Sequence, residues 1–267
     1  MAAIDVGDIV LDCERSGTGP PLLLIMGMSG TALHWGEPFL GPLRRDFEVI
    51  VYDHRGVGAS TRLEGPLTIA QLAEDAAGLL EALGIEEAHV MGISMGGMVA
   101  QELALAQPDR VRTLVLGCTY CGGEGSALAS PEVGQRIMAS LSSGDREQAL
   151  RTAWEINVSA ALVDDEAAYA RFLGIARQRA VAVPVIMAQV QAIAEHDTSA
   201  RLGQLGVPTL IVHGTEDQLL PVTNGRLLAS LIPGAGLEIL DGIGHMFFWE
   251  QPERSAELVR AHAAVPA

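Results

Sequence analysis

Ser94 sits in Gly92-Ile93-Ser94-Met95-Gly96, a G-x-S-x-G pentapeptide. A serine hydroxyl is a weak nucleophile at neutral pH and needs a base that is itself oriented by a third group. Two later stretches offer such groups. His213-Gly214-Thr215-Glu216-Asp217 places a carboxylate after an apolar run and ahead of Pro221, and Gly242-Ile243-Gly244-His245 places an imidazole in a glycine-bracketed loop. The expected chemistry is nucleophilic attack on an acyl carbon: Ser94 attacks a carbonyl, His245 takes the proton and returns it to the leaving group, and Asp217 holds the imidazole tautomer. Glu216 is the alternative acid; Asp217 is preferred because Asp is the commoner acid in the order Ser, acid, His. The plainer readings are a helix cap for Asp217 and a capping or surface residue for His245. His213 and Asp217 also spell H-x-x-x-D, but a histidine ending a buried strand makes that match a coincidence.

These residues need elements that carry them to one place. An apolar segment, 88–91, precedes the pentapeptide and a run of helix formers, 98–106, follows it, so Ser94 is expected on a tight strand-to-helix turn that its flanking glycines permit. The oxyanion formed on attack needs two preorganised donors. The Met95 N–H is one; the Met28 N–H, in the loop Gly27-Met28-Ser29-Gly30 after the apolar run 21–26, is the other. Further strands are expected at 9–14, 47–52, 111–117, 209–213 and 237–240. A helix over 68–83 starts with a capping box, Thr68 and Gln71, and stops at Gly84; another closes the chain at 252–264. Strands alternating with helices predict an α/β fold with a mostly parallel, doubly wound sheet and its functional loops at the strands' carboxyl ends. Between 122 and 204 the strand signal disappears, and helices are expected near 131–141, 145–156, 165–180 and 185–195. The domain organisation is therefore a core of residues 1–121 and 205–267 with 122–204 as a helical lid.

Composition narrows the partners. The chain has 267 residues, 49% of them hydrophobic and 19% charged, with a net charge of −16. That balance is expected of a compact soluble protein and disfavours nucleic acid or an anionic membrane surface as a partner. The longest apolar run, 88–100, is too short to span a bilayer, and no basic region followed by an apolar stretch opens the chain, so a cytoplasmic location is expected. Three cysteines make no disulfide framework, and Cys118-Thr119-Tyr120-Cys121 reads as two cysteines at a strand end rather than a redox or metal motif. Neither a dinucleotide or phosphate-loop pattern nor a metal-ligand cluster is present, so neither cofactor nor metal is expected.

Taken together, Gly92-Ile93-Ser94-Met95-Gly96-Gly97, Asp53-His54-Arg55-Gly56-Val57-Gly58-Ala59-Ser60, Gly214-Thr215-Glu216-Asp217 and Gly244-His245 resemble the α/β-hydrolase superfamily. The branch is similar to esterases, enol-lactonases and non-haem haloperoxidase or perhydrolase-like members, and the resemblance spans about 6–120 and 205–262. It implies a cofactor-free serine hydrolase of small to medium, largely apolar carboxylic esters or lactones. It also implies loop-supporting rather than catalytic roles for Asp53 and Arg55, with His54 structural. Many members carry His-Gly where this chain has Met26-Gly27. Relatives with epoxide hydrolase or haloalkane dehalogenase activity place an aspartate at the turn, which Ser94 disfavours. Met138, Trp154, Met187 and Phe247, with Met28 and Met95, are candidates to line an apolar pocket, against the plainer reading as core. The alternatives are C–C bond hydrolysis, acyl transfer or perhydrolysis on the same triad, or a ligand-binding receptor that keeps the triad as a relic.

Overall fold

A computed structural model describes residues 1–265. Eight strands form one sheet: β1 Ala2–Asp5, β2 Val10–Ser16, β3 Pro21–Ile25, β4 Glu48–Tyr52, β5 Ala88–Ile93, β6 Val111–Gly117, β7 Thr209–Gly214 and β8 Gly236–Leu240. Their order is β1-β2-β4-β3-β5-β6-β7-β8. The first two pairings are antiparallel, and every pairing from β4 through β8 is parallel. The helices are α1 Glu37–Leu43, α2 Ile69–Ala82, α3 Met95–Ala106, α4 Pro131–Ser142, α5 Arg146–Asn157, α6 Glu166–Gln178, α7 Val183–Ala194, α8 Thr223–Leu231, α9 Phe247–Glu250 and α10 Pro252–Ala263.

The parallel strands are buried on both faces, which is why they read as continuous apolar runs rather than alternating ones. Successive residues nonetheless serve opposite cores. Leu23, Ile25, Val90, Leu114, Leu116 and Ile211 join one apolar cluster, which also takes in residues of α2, α3 and α8. Leu22, Leu24, Met91, Ile93, Val115 and Val212 join the other, with residues of α1, α9 and α10. Period-two side-chain alternation thus splits a uniformly apolar strand between two layers. β5 lies mid-sheet between β3 and β6 with all six residues buried, so the turn that follows it opens at the centre of the sheet's carboxyl edge.

Local signals account for the helix ends. The Gln71 N–H donates to the Thr68 hydroxyl at 3.1 Å to start α2, and Gly84, at φ +68°, takes the left-handed conformation just past its end. Helices α4–α7 occupy the connection between β6 and β7, with the Asp145 carboxylate capping α5 by accepting from the Glu147 and Gln148 N–H groups. Trp154, Val158, Ala168 and Phe172 of this connection are buried in the α1-side cluster, and Ala192 in the other. β1 is the strand that sequence patterning did not suggest. Its four residues are mostly exposed and alternate weakly, and pairing with β2 alone makes it a strand. Among the described residues no helix is long and apolar enough to cross a membrane.

Candidate active site

Ser94 stands at the junction of β5 and α3, with φ 56° and ψ −124°. A non-glycine residue in this region is strained, at a cost of about 1–3 kcal/mol, and persists only where its surroundings dictate it. Here they do. The Ser94 N–H donates to the Gly117 carbonyl at 2.9 Å, while its carbonyl accepts from the Gly97 N–H at 2.9 Å and the Thr119 hydroxyl at 2.7 Å. The neighbouring glycines have no room for a side chain. A Cβ on Gly92 would lie 2.1 Å from the Gly96 carbonyl oxygen, and one on Gly96 would lie 2.0 Å from that of Ile25. From Met91 to Ala100, Ser94 alone is not fully buried.

Asp217 and His245 follow β7 and β8, parallel neighbours in the same sheet as β5, so all three residues leave the sheet at one edge. The His245 Nδ1–H donates to Asp217 Oδ2 at 2.7 Å. The other carboxylate oxygen accepts from the Leu219 and Leu220 N–H groups at 2.9 and 3.0 Å, and His213 Nε2 lies 3.3 Å from Oδ2. Asp217 therefore caps its own turn and orients the imidazole at once. Burial alone would raise its carboxyl, but His245, with His213 behind it, holds it well below the ordinary carboxylate range. Among the described residues no hydrogen bond joins the Ser94 hydroxyl to His245.

The loop after β3 runs against this serine. A Cβ on Gly27 would stand 3.1 Å from the Ser94 Cβ and 3.7 Å from its Oγ. His54 Nε2 donates to the Met26 carbonyl at 2.9 Å, so a ring from the neighbouring strand end holds the start of the loop. Among the described residues neither the Met28 nor the Met95 N–H has an acceptor. Asp53 Oδ1 accepts from the Ala32 N–H at 2.7 Å, just past the loop, and Arg55 is paired with Asp75 in the interior.

The family model described as "Alpha/beta hydrolase family" matches residues 22–258. The chain belongs to that family. A relative from Azorhizobium caulinodans, named "Putative carbamate hydrolase RutD", is 35% identical over 95% of this chain and 94% of its own length. A 2-hydroxymuconate semialdehyde hydrolase from Pseudomonas putida is 34% identical over 91% of this chain and 86% of its own. Among solved structures, the enol-lactonase from Burkholderia xenovorans LB400 superimposes with a TM-score of 0.84 at 26% identity, covering 99% of this chain and 100% of that one. This α/β hydrolase is accordingly a hydrolase on a mostly parallel eight-stranded sheet.

Within that hydrolase the other sequence candidates fall into place unequally. Glu216 turns away from the imidazole: its carboxylate accepts from the Ala160 N–H at 2.8 Å. Trp154 and Phe247 are wholly buried in the apolar cluster, the indole N–H donating to the Val163 carbonyl at 3.0 Å and the Phe247 ring covering Gly117. Met138 and Met187 are exposed, at 46% and 39%. Cys118 lies with Asp217 and His245 in a group whose donor atoms are within 4.8 Å of one another. A thiol must ionise to ligate a metal, and burial together with the adjacent Asp217 carboxylate pushes Cys118 well above its ordinary value.

Three supporting residues gave no signal in the sequence. Glu250 accepts from the Gly244 and Ser159 N–H groups at 2.9 and 3.0 Å and from the Ser159 hydroxyl, fastening the His245 loop to the chain just past α5. Arg179, after α6, donates to Asp12 at 2.5 Å and to Asp53 at 2.7 Å. Gln189 on α7 accepts from the Ser29 N–H at 2.9 Å. Apart from the Glu250–Gly244 bond, these contacts span far more sequence than a local pattern covers, so no spacing rule singles them out.

Proposed function

We propose that the protein is a serine hydrolase of small to medium, largely apolar carboxylic esters or lactones, working through an acyl-enzyme. The observation that carries this reading is the strained Ser94 on its glycine-locked turn, set on the same sheet edge as the Asp217–His245 pair. In the first step the His245 imidazole removes the Ser94 proton as Oγ adds to the carbonyl carbon. The Met28 and Met95 amides receive the oxyanion, and the proton passes to the leaving alcohol as the carbon–oxygen bond breaks. In the second, His245 deprotonates water as it adds to the acyl carbon, then returns that proton to Ser94 Oγ as the acyl carbon–Oγ bond breaks and the acid leaves. The Ser94–His245 hydrogen bond forms as substrate is engaged; such bonds are often long or poorly aligned in empty sites and tighten in the complex. Helices α4–α7 are assigned as the lid over the strand ends, with the core of 1–121 and 205–267 beneath. Met138, Trp154, Met187 and Phe247 are assigned to pocket lining, the two buried aromatics from behind the wall.

The carbamate hydrolase name of the Azorhizobium relative belongs to the same chemistry, since a carbamate is also a carbonyl with a heteroatom leaving group. Carbamates therefore join esters and lactones in the deciding experiment. A fluorophosphonate probe should label Ser94, and Ser94→Ala should abolish both labelling and turnover of a p-nitrophenyl ester while leaving the thermal transition in place. Turnover that survives in a folded Ser94→Ala protein overturns the nucleophile. A wild-type enzyme that neither labels nor turns over any ester, lactone or carbamate overturns the hydrolytic reading.

A further inference from the structure

Gln189 is wholly buried on α7, and only half of its amide is used. Its Oε1 accepts the Ser29 N–H at 2.9 Å, while its Nε2 is buried with no acceptor among the described residues. The two ends of this amide cannot be exchanged, because the Ser29 N–H requires an acceptor opposite it. Oε1 and Nε2 are about 2.2 Å apart in a planar amide. Added to the 2.9 Å bond, this keeps Nε2 within roughly 5 Å of the Ser29 nitrogen. Ser29 directly follows Met28, and Gly27 of the same loop abuts the Ser94 side chain. The idle donor is thus pinned beside the loop that borders the reacting hydroxyl.

An unpaired buried N–H is costly, and an aliphatic side chain of the same length would fill this space without the penalty. Buried polar groups in native proteins are overwhelmingly paired, so an idle one calls for a specific explanation. Anchoring Ser29 explains the oxygen of Gln189 but leaves the nitrogen unaccounted for. The amide is uncharged and held in orientation, which suits a single, directional bond to an ether, keto or hydroxyl oxygen.

We propose that Gln189 Nε2 is a substrate-recognition donor, selecting esters or lactones that carry a second oxygen acceptor beyond the scissile group. This rests on the hydrolase reading above and names the substrate class for that site. Two substrate pairs that exchange one methylene for an ether oxygen test it: phenyl methoxyacetate against phenyl butanoate, and 2-methoxyethyl butanoate against butyl butanoate. In one pair at least, the wild-type kcat/KM ratio of oxygen to methylene analogue should exceed that of Gln189→Met by roughly 3- to 10-fold, the worth of one neutral hydrogen bond. Gln189→Leu is the second variant should the first fold poorly, and the ratio is its own control for lost enzyme. A merely structural role for Gln189 lowers both members of a pair together; ratios unchanged in both pairs therefore overturn the proposal. If the wild type instead turns over none of the four esters and Ser94 takes no fluorophosphonate, the hydrolase reading fails and this inference falls with it.

Discussion

The turn around Ser94 and the helical connection between β6 and β7 are held by different means. In α3, which carries the turn into the core, nine of twelve residues are buried; in α4, of the same length, Ser140 alone is. Around Ser94 the backbone itself is locked, by glycines that cannot accept a Cβ and by hydrogen bonds to its own N–H and carbonyl. The connection is instead tied down at separate points: Trp154 and Phe172 sunk into the apolar cluster, Ser159 on Glu250, Arg179 on Asp12 and Asp53, and Gln189 on Ser29. Of its large apolar side chains, Leu128, Met138, Val183 and Met187 remain exposed. Reacting atoms need placement to fractions of an ångström, which a locked backbone supplies. A cover over them, the role proposed for the connection, needs few attachments, and its chemistry can vary between them.

By that contrast, the largest effects belong to the strand ends. Asp217→Asn keeps an oxygen for the Leu219 and Leu220 N–H groups but turns an NH2 toward the imidazole, reversing the tautomer. A loss in kcat on the order of 10⁴-fold is expected, as in other Ser-His-Asp triads, with little change in the thermal transition. A loss below tenfold in steady-state assays would remove Asp217 from the mechanism and weaken the claim that placement is strictest here.

The same contrast governs what the sequence disclosed. The parallel strands, the turn at Ser94 and the four connecting helices are local matters of apolar runs, glycines and caps, and they lie within a few residues of where patterning puts them. The Asp217–His245 contact was legible because chain order and strand-end position constrain both residues. β1 escaped because four exposed residues acquire strand character only from β2. Pocket lining was least legible: methionine and aromatic side chains mark apolar surroundings without saying whether they face a cavity, a core or water. Met138 and Met187 prove exposed while Trp154 and Phe247 are buried. Gln189, Arg179 and Glu250 act through partners distant in the chain, and their types are ordinary on any helix.

A smaller effect should follow from cutting one tether. Arg179→Met leaves the carboxylates of Asp12 and Asp53 beneath the connection without their cation, and Asp53 is fully buried at its side chain. Removing one partner of a buried pair typically costs 3–5 kcal/mol; Arg179 is 27% exposed, so about 2–3 kcal/mol is expected here. Urea unfolding should show the lower midpoint, and adding Asp53→Asn should recover part of it. A midpoint equal to wild type would mean that the connection does not depend on this tether, and the picture of sparse attachment would need other anchors.

The smallest effect separates the two regions by pH. His196 lies just past α7, with Nδ1 3.9 Å from Glu102 and Nε2 buried without a partner among the described residues. Burial, against the opposing pull of the Glu102 carboxylate and with Arg201 nearby, lowers it from 6.5 to about 4. The native state therefore keeps this ring neutral where the unfolded chain already binds a proton, so stability is full above pH 6.5 and declines as pH falls toward 4. His34, lowered to about 4 by burial beside the loop that borders Ser94, adds a decline of the same sign. His196→Gln should flatten part of the fall in urea midpoint between pH 7 and pH 4.5, the remainder belonging to His34 and to His54, His89 and His262, which burial lowers as well. An unchanged slope would show that the connection opens around His196 before the core unfolds, letting the ring titrate as in water. The tethers would then hold more weakly than the locked turn by a margin that local hydrogen exchange of α7 could measure directly.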